Sequence, residues 1–248
     1  MSILVKGNGR VVIGPRFSGE VPPSIPNLEY WVDASDISTI NGGSPVNDDP
    51  VYLWLDKSGN GHNNIQNTFI SQPLWKSSGF GSESKPYIDF DGVNDFFDLS
   101  SFIEGDTDMT IITVMKKNVG GVKMVGITTP TSAALYGYFS LNSIVYARNQ
   151  FGYGTHNTLT PGNDYTEMVG TATMAGTDIK VYKNGQLLIQ SSFTNTVNTL
   201  SFETVAKHAT TGTSDGRITE IIMYNRVLST IELTQINDYL SLKYGTLS

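Results

Sequence analysis

The chain has no cysteine, which excludes disulfides and thiol chemistry. Charge is scarce too. Only 16% of its 248 residues are Asp, Glu, Lys or Arg, and 23 acidic residues against 16 basic ones leave a net charge of −7. Phosphate recognition needs clustered Lys and Arg, and no such run exists, so nucleic acid is not a main partner. No apolar run approaches the ~20 residues of a membrane span. Met1 to Phe17 hold Lys6, Arg10 and Arg16 among scattered glycines, with no uninterrupted apolar h-region. A cleaved signal peptide is therefore not expected. No internal repeat of fixed period is present.

What is present is a turn-rich globular composition, 39% hydrophobic with 25 glycines. Ser, Thr, Asn and Gly supply most of the polarity, a mix that favours strands joined by tight turns. Strand candidates are Leu28 to Val32, Val51 to Trp54, Tyr87 to Asp91, Phe96 to Leu99 and Met109 to Met115. Further candidates are Met124 to Thr128, Tyr136 to Leu141, Ser143 to Ala147, Tyr165 to Ala172, Ile179 to Tyr182, Leu187 to Ile189 and Ile218 to Tyr224. The β-branched run Met109 to Met115 reads as a sheet centre. Asn184-Gly185 between two apolar runs predicts a hairpin, because both residues tolerate φ > 0. Many short strands spaced by turns predict an all-β sandwich. One helix is expected, opening on the capping box Ser229-Thr230-Ile231-Glu232 and closing near Tyr244-Gly245.

The chain divides into an arm, residues 1–27, and a compact domain, residues 28–248. Val21-Pro22-Pro23-Ser24-Ile25-Pro26 reads as a stiff linker, since proline fixes φ and restricts its predecessor. The arm mixes apolar residues with three cations, whereas the body is acidic. It is expected to dock onto a larger object or onto sister subunits; a disordered terminus is the alternative.

Four segments, in order, resemble the concanavalin A-like, laminin-G-like jelly-roll family. They are Tyr30-Trp31-Val32-Asp33-Ala34-Ser35-Asp36; Trp54-Leu55-Asp56-Lys57-Ser58-Gly59-Asn60-Gly61; Phe90-Asp91-Gly92-Val93-Asn94-Asp95; and Arg217 through Lys243-Tyr244-Gly245. The resemblance implies a concanavalin A-like β-sandwich of the kind found in phage virion proteins and bacterial surface proteins. Members bind glycans or proteins, so fold does not settle function.

The sequence offers candidates for three kinds of site. Glucanase relatives carry Glu-x-Asp-x-x-Glu or a close variant on one strand, and this chain has no such motif. Asp89 and Asp91 share a strand face but run into a turn, and His62, His156 and His208 are scattered. The expectation is a non-catalytic protein. Asp33, Asp36, Asp56 and Asn60 supply hard oxygen atoms suited to calcium; the alternative is that they pin loops through Asx-turns. Trp75, read as near a loop, and the tyrosine-rich stretch with Tyr136, Tyr138, Tyr146 and Tyr153 are candidates for stacking sugar rings; a plain apolar sheet face is the alternative. The combined expectation is a virion surface protein, decorating a capsid or adhering through a tail. It would carry a lectin-like module for cell-surface glycan. A free carbohydrate-binding module is the alternative, followed by a polysaccharide-degrading enzyme.

Overall fold

The computed structural model describes residues 2–5, 11–14, 22–105, 108–118, 125–126, 136–138, 145–147, 167–175, 178–192, 200–208 and 212–247. It is a β-sandwich of two antiparallel sheets with one C-terminal helix. In the nine-stranded sheet, Gln186–Ser192, Asp178–Lys183, Met168–Ala175, Asp108–Lys117 and Asp215–Tyr224 lie side by side. Beyond Asp215–Tyr224 the sheet forks. Residues 215–218 pair with Lys85–Asp91, and residues 220–224 pair with Leu28–Asp33. Leu74–Phe80 and Asp49–Pro50 complete that edge. The five-stranded sheet orders Val125–Gly126, Leu200–Val205, Phe97–Gly105, Asn64–Ile65 and Leu53–Trp54.

The larger sheet is covered on both sides, and its central strands alternate accordingly. Tyr30, Val32, Ile111, Ile221 and Met223 join Trp54, Phe97, Leu99 and Phe202 in the core between the sheets. Their sequence neighbours Trp31, Ile112, Ile222 and Tyr224 join Ile236, Tyr239, Leu240 and Tyr244 under the helix. The strand expected at the sheet centre, Met109 to Met115, lies there between Met168–Ala175 and Asp215–Tyr224.

The hairpin and helix form where the sequence places them. Asn184 and Gly185 take φ of 48° and 78°, the left-handed pair of a two-residue turn. The helix Thr230–Tyr244 is capped by Ser229, whose Oγ accepts the Glu232 amide while Glu232 accepts the Ser229 amide. Gly245 ends it with φ 67°.

Near the N-terminus Ser2–Val5 pairs antiparallel with Val11–Gly14, and among the described residues these two strands pair with neither large sheet. The proline-rich linker packs against the body. Pro23 and Ile25 are buried, Ile25 within the helix-side core, and Arg226 Nε donates to the Pro26 carbonyl at 3.2 Å. The packed body therefore includes the linker ahead of Leu28. Leu74–Phe80 and Leu200–Val205 are strands that composition did not mark. Trp75 is a correction: it lies in a strand, 5% exposed, with its indole N–H on the Ala34 carbonyl at 3.0 Å. It offers no stacking surface.

Candidate functional site

The Asp56 loop is built around one carboxylate. Asp56 accepts from the backbone amides of Trp31, Ser58, Gly61 and His62 at 2.9–3.0 Å and from the Ser58 hydroxyl at 2.7 Å. Asn60 Nδ2 reaches back to the carbonyls of Leu28 and Glu29 at 3.2 and 2.9 Å. His62 braces the same loop. One ring nitrogen meets Ser101, at 2.8 Å from the hydroxyl and 3.2 Å from the carbonyl, and the other meets Glu29 at 3.2 Å.

The neighbouring acids are also engaged. Lys57 Nζ lies 2.7 Å from Asp36 and 3.5 Å from Asp33, over the Trp31 ring. Asp36 caps a short 3-10 turn through the Ser38 amide, and its carboxyl lies below the usual range. Burial opposes that shift; hydrogen bonds from Lys57 and Ser38 outweigh it. Asp33 also meets Lys243 at 2.7 Å. The structure thus gives Asp33, Asp36, Asp56 and Asn60 to backbone groups and lysines. Among the described residues no group of three or more His, Cys, Asp or Glu side chains is arranged to hold a metal ion.

The tyrosine-rich stretch contributes two short strands, Tyr136–Tyr138 and Val145–Ala147, which pair with Tyr146 opposite Gly137. The side chains of Tyr136, Tyr138 and Tyr146, and all of Tyr153, lie outside the described residues. Asp89 lies beside Arg217 at 3.7 Å, with its pKa raised chiefly by burial, while Asp91 opens a turn.

A different feature stands out on the rim of the sandwich. Phe69, Ile70 and Val93 are 71%, 74% and 78% exposed. Two turns carry them, and both are fixed. Phe69–Ser71 is a 3-10 turn closed by the Ser71 amide on Thr68 and the Gln72 amide on Phe69. Val93 sits in the turn after Lys85–Asp91, where the Asp91 carboxylate accepts the amides of Val93 and Asn94 at 2.8 and 3.2 Å. Gly92 there has φ 76°, and a Cβ would come 2.6 Å from Asp215 Cβ, so only glycine fits. The two turns are stitched together. Asn94 Nδ2 donates to the Ile70 carbonyl, the Phe96 amide donates to the Ser71 carbonyl at 3.3 Å, and Gln66 Nε2 donates to the Phe96 carbonyl at 3.0 Å.

The result is an uncharged apolar crest held by side-chain amides and flanked by exposed Asn67, Thr68 and Asp91. Scattered exposed apolar residues are ordinary, but here three stand on two turns that hydrogen bonds join directly. Such a surface can take the C–H face of a sugar ring on Phe69 while the flanking polar groups bond hydroxyls. At the end of the Val93 turn Asp95 is buried and accepts the Asp91 amide, with its carboxyl pushed up to about 6 by burial and by the charges of Asp91 and Asp89. Sequence reasoning missed the crest. The available signal was Phe69-Ile70 standing between Thr68 and Ser71 in a polar segment, and Val93 at a turn position where polar residues are usual.

No family model matches the chain, and no curated protein matches it. Solved structures do. Domain 4 of AbnA, an extracellular GH43 arabinanase of Geobacillus stearothermophilus solved with arabinotriose, superposes with a TM-score of 0.58 at 13% identity, over 85% of this chain and 98% of that one. The receptor-binding domain of botulinum neurotoxin type G gives 0.55 at 12% identity, over 86% and 51%. Trypanosoma rangeli sialidase gives 0.53 at 15% identity, over 90% and 36%, so this chain spans about a third of the sialidase chain. At these identities the likeness is one of fold, and it is to β-sandwich domains.

Proposed function

We propose that this chain is a non-catalytic glycan-binding module that holds a neutral saccharide on the crest of Phe69, Ile70 and Val93. The observation that carries the reading is the crest itself, three large apolar residues more than 70% exposed on turns whose backbone is held by hydrogen bonds. A pre-formed surface binds without the entropic cost of ordering its loops. The three crest residues bear no charge and the flanking Asp91 is acidic, which favours neutral sugars over sulfated or uronic ones. Similarity in fold to an arabinanase domain solved with arabinotriose supports the ligand class. The test is a glycan array probed with the wild type and with Phe69→Ala. Neutral oligosaccharides should be retained by the former and lost by the latter.

A second reading concerns where the module is mounted, and one observation favours it. Among the described residues, the strand pair Ser2–Val5/Val11–Gly14 joins neither sheet of the sandwich. Its apolar strands suit docking onto a virion, on capsid or tail, or onto sister subunits. Deleting residues 1–21 should then abolish co-purification with particles and leave glycan binding intact. Unchanged occupancy after deletion would support a free module instead.

A further inference from the structure

We propose that the chain forms a two-fold dimer by antiparallel pairing of the edge strand Gln186–Ser192 with the same strand of a second copy. Among the described residues, no strand pairs with the outer side of Gln186–Ser192, which ends the nine-stranded sheet. Its outward N–H and C=O groups are a template for another strand, and natural edges are usually guarded by charge or proline. This one has neither. Its seven residues, Gln-Leu-Leu-Ile-Gln-Ser-Ser, are uncharged in a chain of net charge −7.

A register shift adds apolar surface. Val181 faces Ile189 and Tyr182 faces Leu187, so Leu188 is an extra residue in the ladder. A regular strand would turn consecutive side chains to opposite faces. Here Leu187 and Leu188 are both exposed, at 51% and 42%. The bulge thus places two leucines in solvent side by side, where a partner would bury them.

The partner that fits is a second copy. An antiparallel strand pair is isologous, so one strand serves as both halves of the seam. Two acidic molecules repel, and an uncharged strand is where they can meet without facing like charges. The neighbouring strand reinforces the antiparallel sense. Lys183 stands opposite Gln186 and Asp178 opposite Ser192. Pairing centred on Ile189 brings the Lys183 end of one copy to the Asp178 end of the other, whereas parallel pairing would align like charges.

The experiment is light scattering of the full chain across a concentration series, with circular dichroism to confirm folding. The wild type should approach twice the 27.0 kDa of the chain. The double variant Leu187→Lys/Leu188→Lys should stay at the monomer mass, and Ile231→Lys, on the exposed start of the helix, should remain dimeric. Gln190→Lys adds charge to the seam while keeping both leucines, and should also give monomer if the double variant does not fold. A wild type that is monomeric throughout would overturn the proposal. So would a folded edge variant that dimerises as the wild type does.

Discussion

Lys243 and Glu220 form an ion pair with their charged atoms 2.9 Å apart, and their side chains are 2% and 0% exposed. Glu220 lies on the helix face by the ordinary alternation of its strand, in phase with Ile222 and Tyr224; a bulge beside it, with Val114 facing Glu220 and Met115 facing Ile218, leaves Thr219 as an extra residue. Thr219 and Glu220 therefore both meet the helix side, where Tyr244 contacts each of them. Trp31, Tyr239 and Tyr244 all donate to Glu220, and Asp33 takes a second contact with Lys243 at 2.7 Å. Burial alone would lower the Lys243 pKa, but the two carboxylates outweigh it and hold the ammonium charged.

The first prediction follows from that network. Lys243→Met would leave the buried Glu220 without a cation and Asp33 with only Lys57, 3.5 Å away. Removing one partner of a buried pair costs about 3–5 kcal/mol. Urea unfolding of the variant should show a loss of that order. A loss under 1 kcal/mol would mean that the pair does not fasten helix to sheet.

The Asp56 loop gives a second. Asp56→Ala strands four backbone amides and a hydroxyl. Charged hydrogen bonds contribute about 1.5–3 kcal/mol each, and they do not add fully, so a loss of about 3 kcal/mol is expected. Calcium should leave Tm unchanged, because Lys57 already lies against Asp33 and Asp36. A calcium-dependent rise in Tm, abolished by Asp36→Asn, would show the ion displacing the lysine.

Asp95 sets a pH dependence. Its folded pKa is raised from 3.8 to about 6, so between those values the folded state binds more protons than the unfolded one. Stability from this group is full below the unfolded pKa and is lost as pH rises through about 6. Asp95→Asn removes the titration. Relative to wild type, the variant should gain stability from pH 4 to pH 7 in paired unfolding curves. A constant difference across that range would contradict the raised pKa.

The helix cap gives a smaller effect. Ser229→Ala leaves the Glu232 amide without its side-chain acceptor. The expected loss is about 1 kcal/mol, with a lower Tm. Arg226 still holds Glu232, whose pKa is pulled down to about 2 chiefly by that contact, so the helix should persist in circular dichroism.

The features legible in the sequence are those set by local chemistry. The Asn184-Gly185 turn, the capping box at Ser229, the β-branched strand around Ile111 and the Asp56 loop are each specified by a few adjacent residues. The sandwich followed from their number and spacing. What was not legible depends on partners distant in the chain. Trp75 reads as loop-borne beside Pro73, yet Ile88 and the Ala34 carbonyl bury it. The burial of Lys243 depends on Glu220 and Asp33, two carboxylates on strands far from the helix in sequence. The crest arises because Asn94 ties a turn to another more than twenty positions away.

The most direct test of glycan binding is calorimetric titration of neutral oligosaccharides, arabinotriose among them, into the wild type, Phe69→Ala and Ile231→Ala. Wild type and Ile231→Ala should bind at least one sugar with equal affinity. Phe69→Ala should bind it at least about tenfold more weakly, since losing a buried aromatic contact costs about 1.5–3 kcal/mol. Absence of binding to every neutral sugar, or equal binding by Phe69→Ala, would contradict the account.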